Sequence, residues 1–208
     1  MATILRQWSY RYQWLYDSVS WFSTLMVGGI DRFHQLPLED LPLEPNAAVL
    51  DLCCGSGQAT AYLTERYSNV TGLDASPLSL TRARQNVPAA TYVEGWAEDL
   101  PFDDQTFDLV HTSVALHEMT PQQLDKILEN VHRVLKPGGM LACIDLHQPS
   151  NPALIPGLYA FMLLFETETA WQLIRTDLAA VLSQKGFEIR RHQRYGGGSL
   201  QVIQAVKP

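Results

Sequence analysis

The chain has 208 residues, of which 46% are hydrophobic and 18% are charged, and its formal net charge is −7. This length and apolar content are enough for one globular domain with a sizeable core, so we expect residues 1–208 to fold as a single unit. The acidic balance argues against nucleic acid as a partner, because phosphate binding needs clustered lysine and arginine. No run of about 18 or more apolar residues is present, which argues against a membrane span.

The three cysteines favour a reducing compartment, since two of them are adjacent. Neighbouring Cys53 and Cys54 are poor disulfide partners, and a metal site needs spaced cysteine or histidine ligands. The sequence does not open with the basic, apolar and small-residue regions of a secretory signal. We therefore expect a cytoplasmic protein without a bound metal.

Residues 1–36 are rich in aromatic side chains and predict an N-terminal helical cap. Six apolar residues fall near one helical face: Trp8, Tyr12, Leu15, Val19, Phe22 and Met26. Gly28 and Gly29 then end the helix. A stripe of this kind packs on a core or lines a pocket for an apolar substrate, and the pattern allows both.

From residue 47 onwards, strand and helix patterns alternate. Strands are predicted in residues 49–51, 69–74, 90–94, 107–112, 140–146, 187–194 and 200–206. Helices are predicted after residue 57 and in residues 77–86, 121–135 and 167–185. The alternation predicts an α/β fold built on a doubly wound, mostly parallel sheet of seven strands. The short glycine-rich connection at residues 196–199 predicts an antiparallel hairpin of the last two strands.

The segment 49–57 reads Val-Leu-Asp-Leu-Cys-Cys-Gly-Ser-Gly and predicts a strand, a tight turn and a helix start. Glycines in such a turn let backbone N–H groups approach a ligand. Gly55-x-Gly57 alone fits many nucleotide binders, but Thr60 stands where a dinucleotide fingerprint has its third glycine. Asp51 would repel a pyrophosphate and attract an ammonium or sulfonium group. The turn therefore predicts a ligand that is cationic on this side.

Two further segments follow the second and third strands. Asp74 ends the second strand, where a carboxylate accepts hydrogen bonds from both hydroxyls of a ribose. The alternative is that Asp74 caps the helix that starts near Ser76. After the third strand, the backbone of Ala97 is placed to reach an adenine edge, while Leu78 packs on the face of the ring.

Five motifs, in this order and at these spacings, resemble the class I S-adenosylmethionine-dependent methyltransferases. They are residues 49–57, 72–76, 97–102, 106–110 and 133–139. The resemblance covers residues 47–150 and implies a Rossmann-like fold, S-adenosylmethionine as cofactor and methyl transfer as reaction. It implies that Asp51 lies near the amino group of the methionine moiety, Asp74 near the ribose and Ala97 near adenine. It implies cofactor binding by Asp51, Cys53, Gly55, Ser56, Gly57, Asp74, Ala75, Trp96, Ala97, Glu98 and Ser113.

A narrower resemblance is to the ubiquinone and menaquinone biosynthesis C-methyltransferases. It is carried by residues 16–20, by Gly28, Ile30 and Arg32, and by residues 145–149. Those enzymes commonly carry Arg-Asn after the fourth strand, where this chain has His117 and Glu118. The resemblance implies an acceptor of the quinol or isoprenoid type.

Methyl transfer from a sulfonium is an in-line displacement, so positioning of the acceptor supplies much of the catalysis. A base is needed when the acceptor loses a proton, and four side chains are candidates for it: His117, Glu118, His147 and Tyr16. For His117, the alternative is a polar residue at a helix start. The other histidines are expected at the surface (His34, His132 and His192) or, for His111, inside a strand in a structural role.

Residues 152–165 are apolar nearly throughout, but too few to cross a membrane. We expect residues 47–150 to bind the cofactor, residues 151–166 to form a lid-like segment, and residues 167–208 to supply the last helix and edge strands. As a lid, the apolar segment would enclose a hydrophobic small-molecule substrate, and as an exposed surface it would touch a membrane transiently.

Three other functions stay open at this stage. They are a methyltransferase acting on a protein or other macromolecule, a non-catalytic cofactor-binding subunit, and an NAD-dependent dehydrogenase. For the last we expect no nicotinamide binding. The sequence does not predict an oligomeric state.

Overall fold

The computed structural model describes residues 27–152, 155–157, 159 and 168–208. Most of the predicted N-terminal cap, including the apolar stripe of residues 8–26, lies outside the described residues. The same holds for most of the apolar segment 152–165. Among the described residues, no helix is both long and apolar enough to cross a membrane.

The described part of the chain forms a seven-stranded sheet in the order β3-β2-β1-β4-β5-β7-β6. The strands are β1 Ala48–Leu52, β2 Asn69–Asp74, β3 Thr91–Glu94, β4 Phe107–Ser113, β5 Leu135–Leu146, β6 Glu188–Tyr195 and β7 Leu200–Val206. Strands β1 to β5 pair in parallel, and β7 runs antiparallel to β5 and β6. This confirms the doubly wound, mostly parallel sheet with an antiparallel C-terminal hairpin.

Six α-helices are described, and three of them start at a side-chain cap. They are α1 Ile30–Gln35, α2 Gln58–Arg66, α3 Pro77–Asn86, α4 Pro121–Val134, α5 Glu168–Leu173 and α6 Leu178–Gln184, with 3₁₀ turns at Leu36–Leu38, Leu116–Glu118 and Gly196–Gly198. Ser76 caps α3 by accepting a hydrogen bond from the Ser79 backbone at 3.2 Å. Thr120 and Gln123 form a reciprocal capping box at the start of α4.

Two predicted elements differ from those observed. The helix predicted over residues 167–185 is split into α5 and α6, because Asp177 caps a new helix by accepting from the Ala180 backbone at 3.1 Å. Strand β5 begins at Leu135 instead of Met140, so residues 135–139 also belong to the strand. Backbone pairing keeps these residues in the strand despite the two glycines. Gly138 N donates to Lys207 O at 2.7 Å, and Lys207 N donates to Gly139 O at 2.9 Å.

Helices cover both faces of the sheet and leave one edge open for a ligand. Side chains of α4 and α6 pack on one face together with Leu50 of β1, whereas Leu63 of α2 packs with Val49 on the other. The carboxyl ends of β1, β2 and β4 meet at one edge, where open α/β sheets bind their ligands.

Candidate active site

A cleft of about 370 Å³ opens at this edge of the sheet. Four segments supply its wall: α1, the turn after β1 with the start of α2, the region after β2, and the loop after β4. The lining residues are His34, Asp51, Cys53, Cys54, Gly55, Ser56, Gln58, Ala59, Asp74, Ala75, Ser76, Ser79, Arg82, Ser113, Val114, Ala115, Glu118 and Met119. Seven residues of the predicted cofactor set therefore line one cavity: Asp51, Cys53, Gly55, Ser56, Asp74, Ala75 and Ser113.

The turn after β1 has a left-handed backbone at three positions. The φ angles of Cys53, Gly55 and Gly57 are 58°, 54° and 87°, a region that glycine adopts freely and other residues rarely. Gly57 is the N-cap of α2, and a Cβ at this position would lie 3.4 Å from Ala83 and from the Tyr92 hydroxyl. Burial and the nearby carboxylates raise the pKa of Cys53 to about 12, so its thiol stays protonated and contributes no nucleophile.

Asp74 connects the end of β2 to the turn after β1. Its Oδ2 accepts a hydrogen bond from Gly55 N and its Oδ1 accepts one from Ser76 N, each at 2.9 Å. The N-cap of α3 is Ser76. The alternative prediction, that Asp74 caps this helix, is therefore wrong. A carboxylate has about four acceptor positions, which leaves Asp74 two for the hydroxyls of a ligand.

Asp51 is buried and held by two side chains, Thr60 and His111, whose contact with it was not predicted. It is 1% exposed, its Oδ2 accepts from Thr60 Oγ1 at 2.6 Å, and its Oδ1 lies 2.9 Å from His111 Nδ1. Asp51 and His111 are register partners in β1 and β4. Thr60, in the place of a third glycine, thus fixes the carboxylate that lies in the cleft wall.

His34 is buried, which corrects the prediction that it lies at the surface. It is 5% exposed, because α1, which follows the glycines predicted to end the cap helix, packs against α2. Its ring stacks on Tyr62 with centroids 5.1 Å apart. Burial lowers the pKa of His34 to about 4, so the ring is neutral near pH 7. His132 and His192, the other two predicted surface histidines, are half-buried.

The loop after β4 is shaped by Asp145 at the end of β5. Asp145 is 1% exposed, accepts from Leu116 N at 2.8 Å, and lies 2.7 Å from His117 Nδ1. Val114 in this loop has a φ angle of 46°, an outlier for a β-branched residue and a sign of strain at a functional position. The loop brings Val114, Ala115 and Met119 into the cleft wall.

The candidate bases are distributed unequally around the cleft. Glu118 lines it, whereas His117 is 6% exposed and does not. The His147 ring lies outside the lining set, with Nδ1 at 2.9 Å from Gly198 O and 2.7 Å from Gln148 O, and thereby joins the end of β5 to the C-terminal hairpin. Tyr16 lies outside the described residues.

The four remaining cofactor candidates lie beside the cleft and not in its wall. Gly57 is the N-cap of α2, Ala97 is 5% exposed in the core, and Glu98 Oε1 accepts from Gln123 Nε2 at 3.2 Å. Trp96 is 65% exposed and Leu78 is 61% exposed. Gly95 N donates to Asp74 O at 3.1 Å, so the segment with Trp96 starts next to Asp74. Adenine contacts of Trp96 and Ala97 stay predictions.

The charges of the lining favour a ligand with a cationic group. Asp51, Asp74 and Glu118 face a cavity in which Arg82 is the one lysine or arginine among the described lining residues. Such a wall attracts an ammonium or sulfonium and repels phosphates. Within the described residues, no three His, Cys, Asp or Glu side chains are grouped so that they would hold a metal ion.

The fold and the site together define a Rossmann-like domain that holds a nucleoside with a cationic end. Residues 49–139 match the methyltransferase domain family. An uncharacterized methyltransferase of Synechocystis sp. is 64% identical over 99% of this chain and 97% of its own length. The 2-phytyl-1,4-naphtoquinone methyltransferase of Thermosynechococcus vestitus is 30% identical over 93% and 94% of the two chains. A demethylmenaquinone methyltransferase of Listeria monocytogenes is 32% identical over 81% of each.

Solved structures show the same fold. A SAM-dependent methyltransferase from Aquifex aeolicus superimposes with a TM-score of 0.64 at 20% identity, over 84% of this chain and 89% of the other. The chain belongs to the class I S-adenosylmethionine-dependent methyltransferases, and S-adenosylmethionine is its cofactor. The site fits this cofactor. The glycine turn lets backbone N–H groups come close to a ligand, and Asp74 has two acceptor positions left for it. The buried Ser113 hydroxyl in the wall has no protein partner among the described residues.

Proposed function

We propose that this methyltransferase acts on a hydrophobic small molecule, and that the acceptor is of the quinol class with an isoprenoid-like tail. The observation that carries the proposal is the chemistry of the relatives. Relatives of 25–32% identity that are matched over most of their length are named for methyl transfer to a phytyl naphthoquinone and to demethylmenaquinone. Both acceptors join an aromatic ring to a long apolar chain.

The wall of the cleft supports an apolar acceptor. The loop after β4 presents Val114, Ala115 and Met119, which offer hydrocarbon and sulfur surface but no charge. The ionised groups of the lining are mainly acidic, which disfavours an RNA or phosphopeptide substrate. A flat, uncharged ring packs on such a wall by the hydrophobic effect.

The residues of the chain divide into those that hold the cofactor and those that position the acceptor. When bound, S-adenosylmethionine supplies an electrophilic methyl group. The Gly55–Gly57 turn backs the methionine end and Asp74 accepts from the ribose hydroxyls. The strained loop at Val114 holds the acceptor wall in place, so that the acceptor is aligned and water is excluded.

Glu118 is the candidate for the proton acceptor, because it alone among the described candidate bases lines the cleft. A quinol becomes a better nucleophile when a hydroxyl gives up its proton, and a carboxylate at the cleft wall is placed to accept it. His117 and His147 have structural hydrogen bonds that hold the loop after β4 and the C-terminal hairpin.

The experiment is an acceptor panel with methyl-labelled S-adenosylmethionine and the purified protein. The panel contains a reduced demethylnaphthoquinol with an isoprenoid tail, the same headgroup without the tail, unfolded peptides and transfer RNA. The proposal expects label on the tailed quinol, less on the bare headgroup, and none on peptide or RNA. Asp74→Asn serves as the cofactor-binding control and should lose the signal.

Three outcomes would overturn the proposal. Label on peptide or RNA with none on the quinols would make the protein a macromolecule methyltransferase. Cofactor binding with no transfer to any acceptor, including those in a whole-cell extract, would make it a non-catalytic subunit. Transfer to a polar metabolite alone would keep the reaction and reject the acceptor class.

A further inference from the structure

His34 is a buried histidine in the cleft wall, and none of the roles described above belongs to it. It is 5% exposed and lines the cleft with Asp51, Gly55 and Ser113. Tyr62 stacks on its ring, and Phe33 packs edge-on at 5.2 Å. Neither Nδ1 nor Nε2 has a hydrogen-bond partner within the described part of the chain.

A buried imidazole without partners is unfavourable in the absence of a ligand. Burying a polar group costs free energy unless a hydrogen bond replaces those lost to water. For packing alone, phenylalanine would fill the space between Phe33 and Tyr62 without that cost. Because the His34 ring forms part of the cleft wall, a polar group of a ligand in the cleft is what would supply the missing partner.

The neighbouring charges indicate which polar group this is. The amino-acid end of S-adenosylmethionine carries an ammonium and a carboxylate. The ammonium is attracted to the buried Asp51, whose side chain is held in position in the wall by Thr60 and His111. A neutral imidazole offers one N–H, and a carboxylate is an acceptor only.

The other strong donor of the lining lies on the opposite side of β1. Arg82 belongs to α3, which packs on β2 and β3, next to the ribose ligand Asp74. His34 belongs to α1, whose Phe33 packs with Ile144 and Leu146 of β5. We propose that His34 binds the α-carboxylate of the methionine moiety through a ring N–H, while the ammonium group lies toward Asp51.

The test measures ligand affinity by calorimetry and does not depend on the acceptor. Three probes separate the groups: S-adenosylhomocysteine, its decarboxylated analogue S-adenosyl-3-thiopropylamine, and 5′-methylthioadenosine, which lacks the whole amino-acid end. His34→Phe should weaken binding of S-adenosylhomocysteine about 10- to 100-fold, the size expected for a hydrogen bond to a charged group. It should leave binding of the two ligands without a carboxylate unchanged.

Two further variants keep the test decisive. His34→Gln retains an N–H donor and should recover part of the affinity for S-adenosylhomocysteine, and it replaces His34→Phe if that variant does not fold. His132→Phe changes a half-buried histidine that packs edge-on against Phe187 at 5.1 Å, away from the cleft lining. This control should bind all three ligands like the parent protein.

The proposal is overturned by any other pattern. Equal weakening of all three ligands would show that His34 supports the site by packing only. Weakening of the amine analogue together with S-adenosylhomocysteine would place the ammonium, and not the carboxylate, on His34. Unchanged affinity for S-adenosylhomocysteine in both His34 variants would show that the ring makes no contact with the cofactor.

Discussion

The Oδ2 atom of Asp74 lies 2.9 Å from the backbone nitrogen of Gly55, which fixes the end of β2 against the turn after β1. The other oxygen of the same carboxylate accepts a hydrogen bond from the Ser76 backbone nitrogen. One side chain therefore sets the relative position of the two segments to which we assign the nucleoside of the cofactor. Its remaining acceptor positions would serve the ribose hydroxyls.

The first prediction concerns Asp74→Asn. An amide offers one acceptor oxygen, so either Gly55 N or Ser76 N faces an NH₂ group and loses its partner. We expect the affinity for S-adenosylhomocysteine to fall at least about 10-fold and the free energy of unfolding to fall by about 1–3 kcal/mol. Calorimetry and urea denaturation measure the two effects. Asp103→Asn, an exposed loop acid, is the control, and an unchanged affinity in Asp74→Asn would contradict this account of the site.

A second prediction uses the contact between Thr60 and Asp51. Thr60→Val keeps the shape of the side chain but removes the 2.6 Å donor from a buried carboxylate. We expect a loss of about 1.5–3 kcal/mol in the free energy of unfolding, because a hydrogen bond to a charged group is removed. Thr60→Ser retains the hydroxyl and should lose less than half as much. Equal losses in the two variants would show that the methyl group, and not the hydroxyl, stabilises the fold.

A third prediction compares two glycines with left-handed backbones. Gly57 has a φ angle of 87° and Gly138 one of 79°, so an alanine at either position is strained by about 1–2 kcal/mol. A Cβ at Gly138 meets nothing within 4 Å, whereas one at Gly57 lies 3.4 Å from Ala83 and the Tyr92 hydroxyl. Both variants should be less stable, but only Gly57→Ala should lose cofactor affinity. Loss of affinity in both would mean that stability alone controls binding.

The fourth prediction is a pH dependence of stability that His34 causes. Its pKa falls from 6.5 to about 4 on folding, because burial and His111 disfavour the charged ring more than Asp51 and Asp31 favour it. Between these pH values the unfolded chain binds more protons, so stability falls as the pH falls from about 6.5 toward 4. The full loss is on the order of 3 kcal/mol.

The comparison that isolates this effect is with His34→Phe, measured by urea denaturation at several pH values. The parent protein should lose stability more steeply over the acid window than the variant, and the two curves should run parallel above about pH 7. Identical slopes below pH 6 would contradict a buried neutral His34.

Local sequence signals predicted much of the fold. The observed bounds of β2 and β7 match the predicted ones, and α3 and α4 start at Pro77 and Pro121 as predicted, since helix starts depend on neighbours in sequence. The helix α1 was missed because six residues are too few to show a helical period.

The buried side of the site could not be predicted because it depends on contacts between distant residues. The pairing of Asp51 with His111 spans 60 residues and follows from strand register. The burial of His34 follows from the packing of α1 on α2 and its stack on Tyr62. A threonine in the place of the third glycine was a visible signal, but its partner became evident only with the fold.

The function proposed for this chain is transfer of a methyl group from S-adenosylmethionine to a hydrophobic small molecule. The most direct measurement is the fate of labelled methyl groups when the purified protein acts on a whole-cell extract separated into lipid, aqueous metabolite, protein and RNA fractions. We predict that the label enters a small molecule of the lipid fraction, and that Asp74→Asn abolishes it. Label in protein, RNA or aqueous metabolites with none in the lipid fraction would contradict a hydrophobic acceptor.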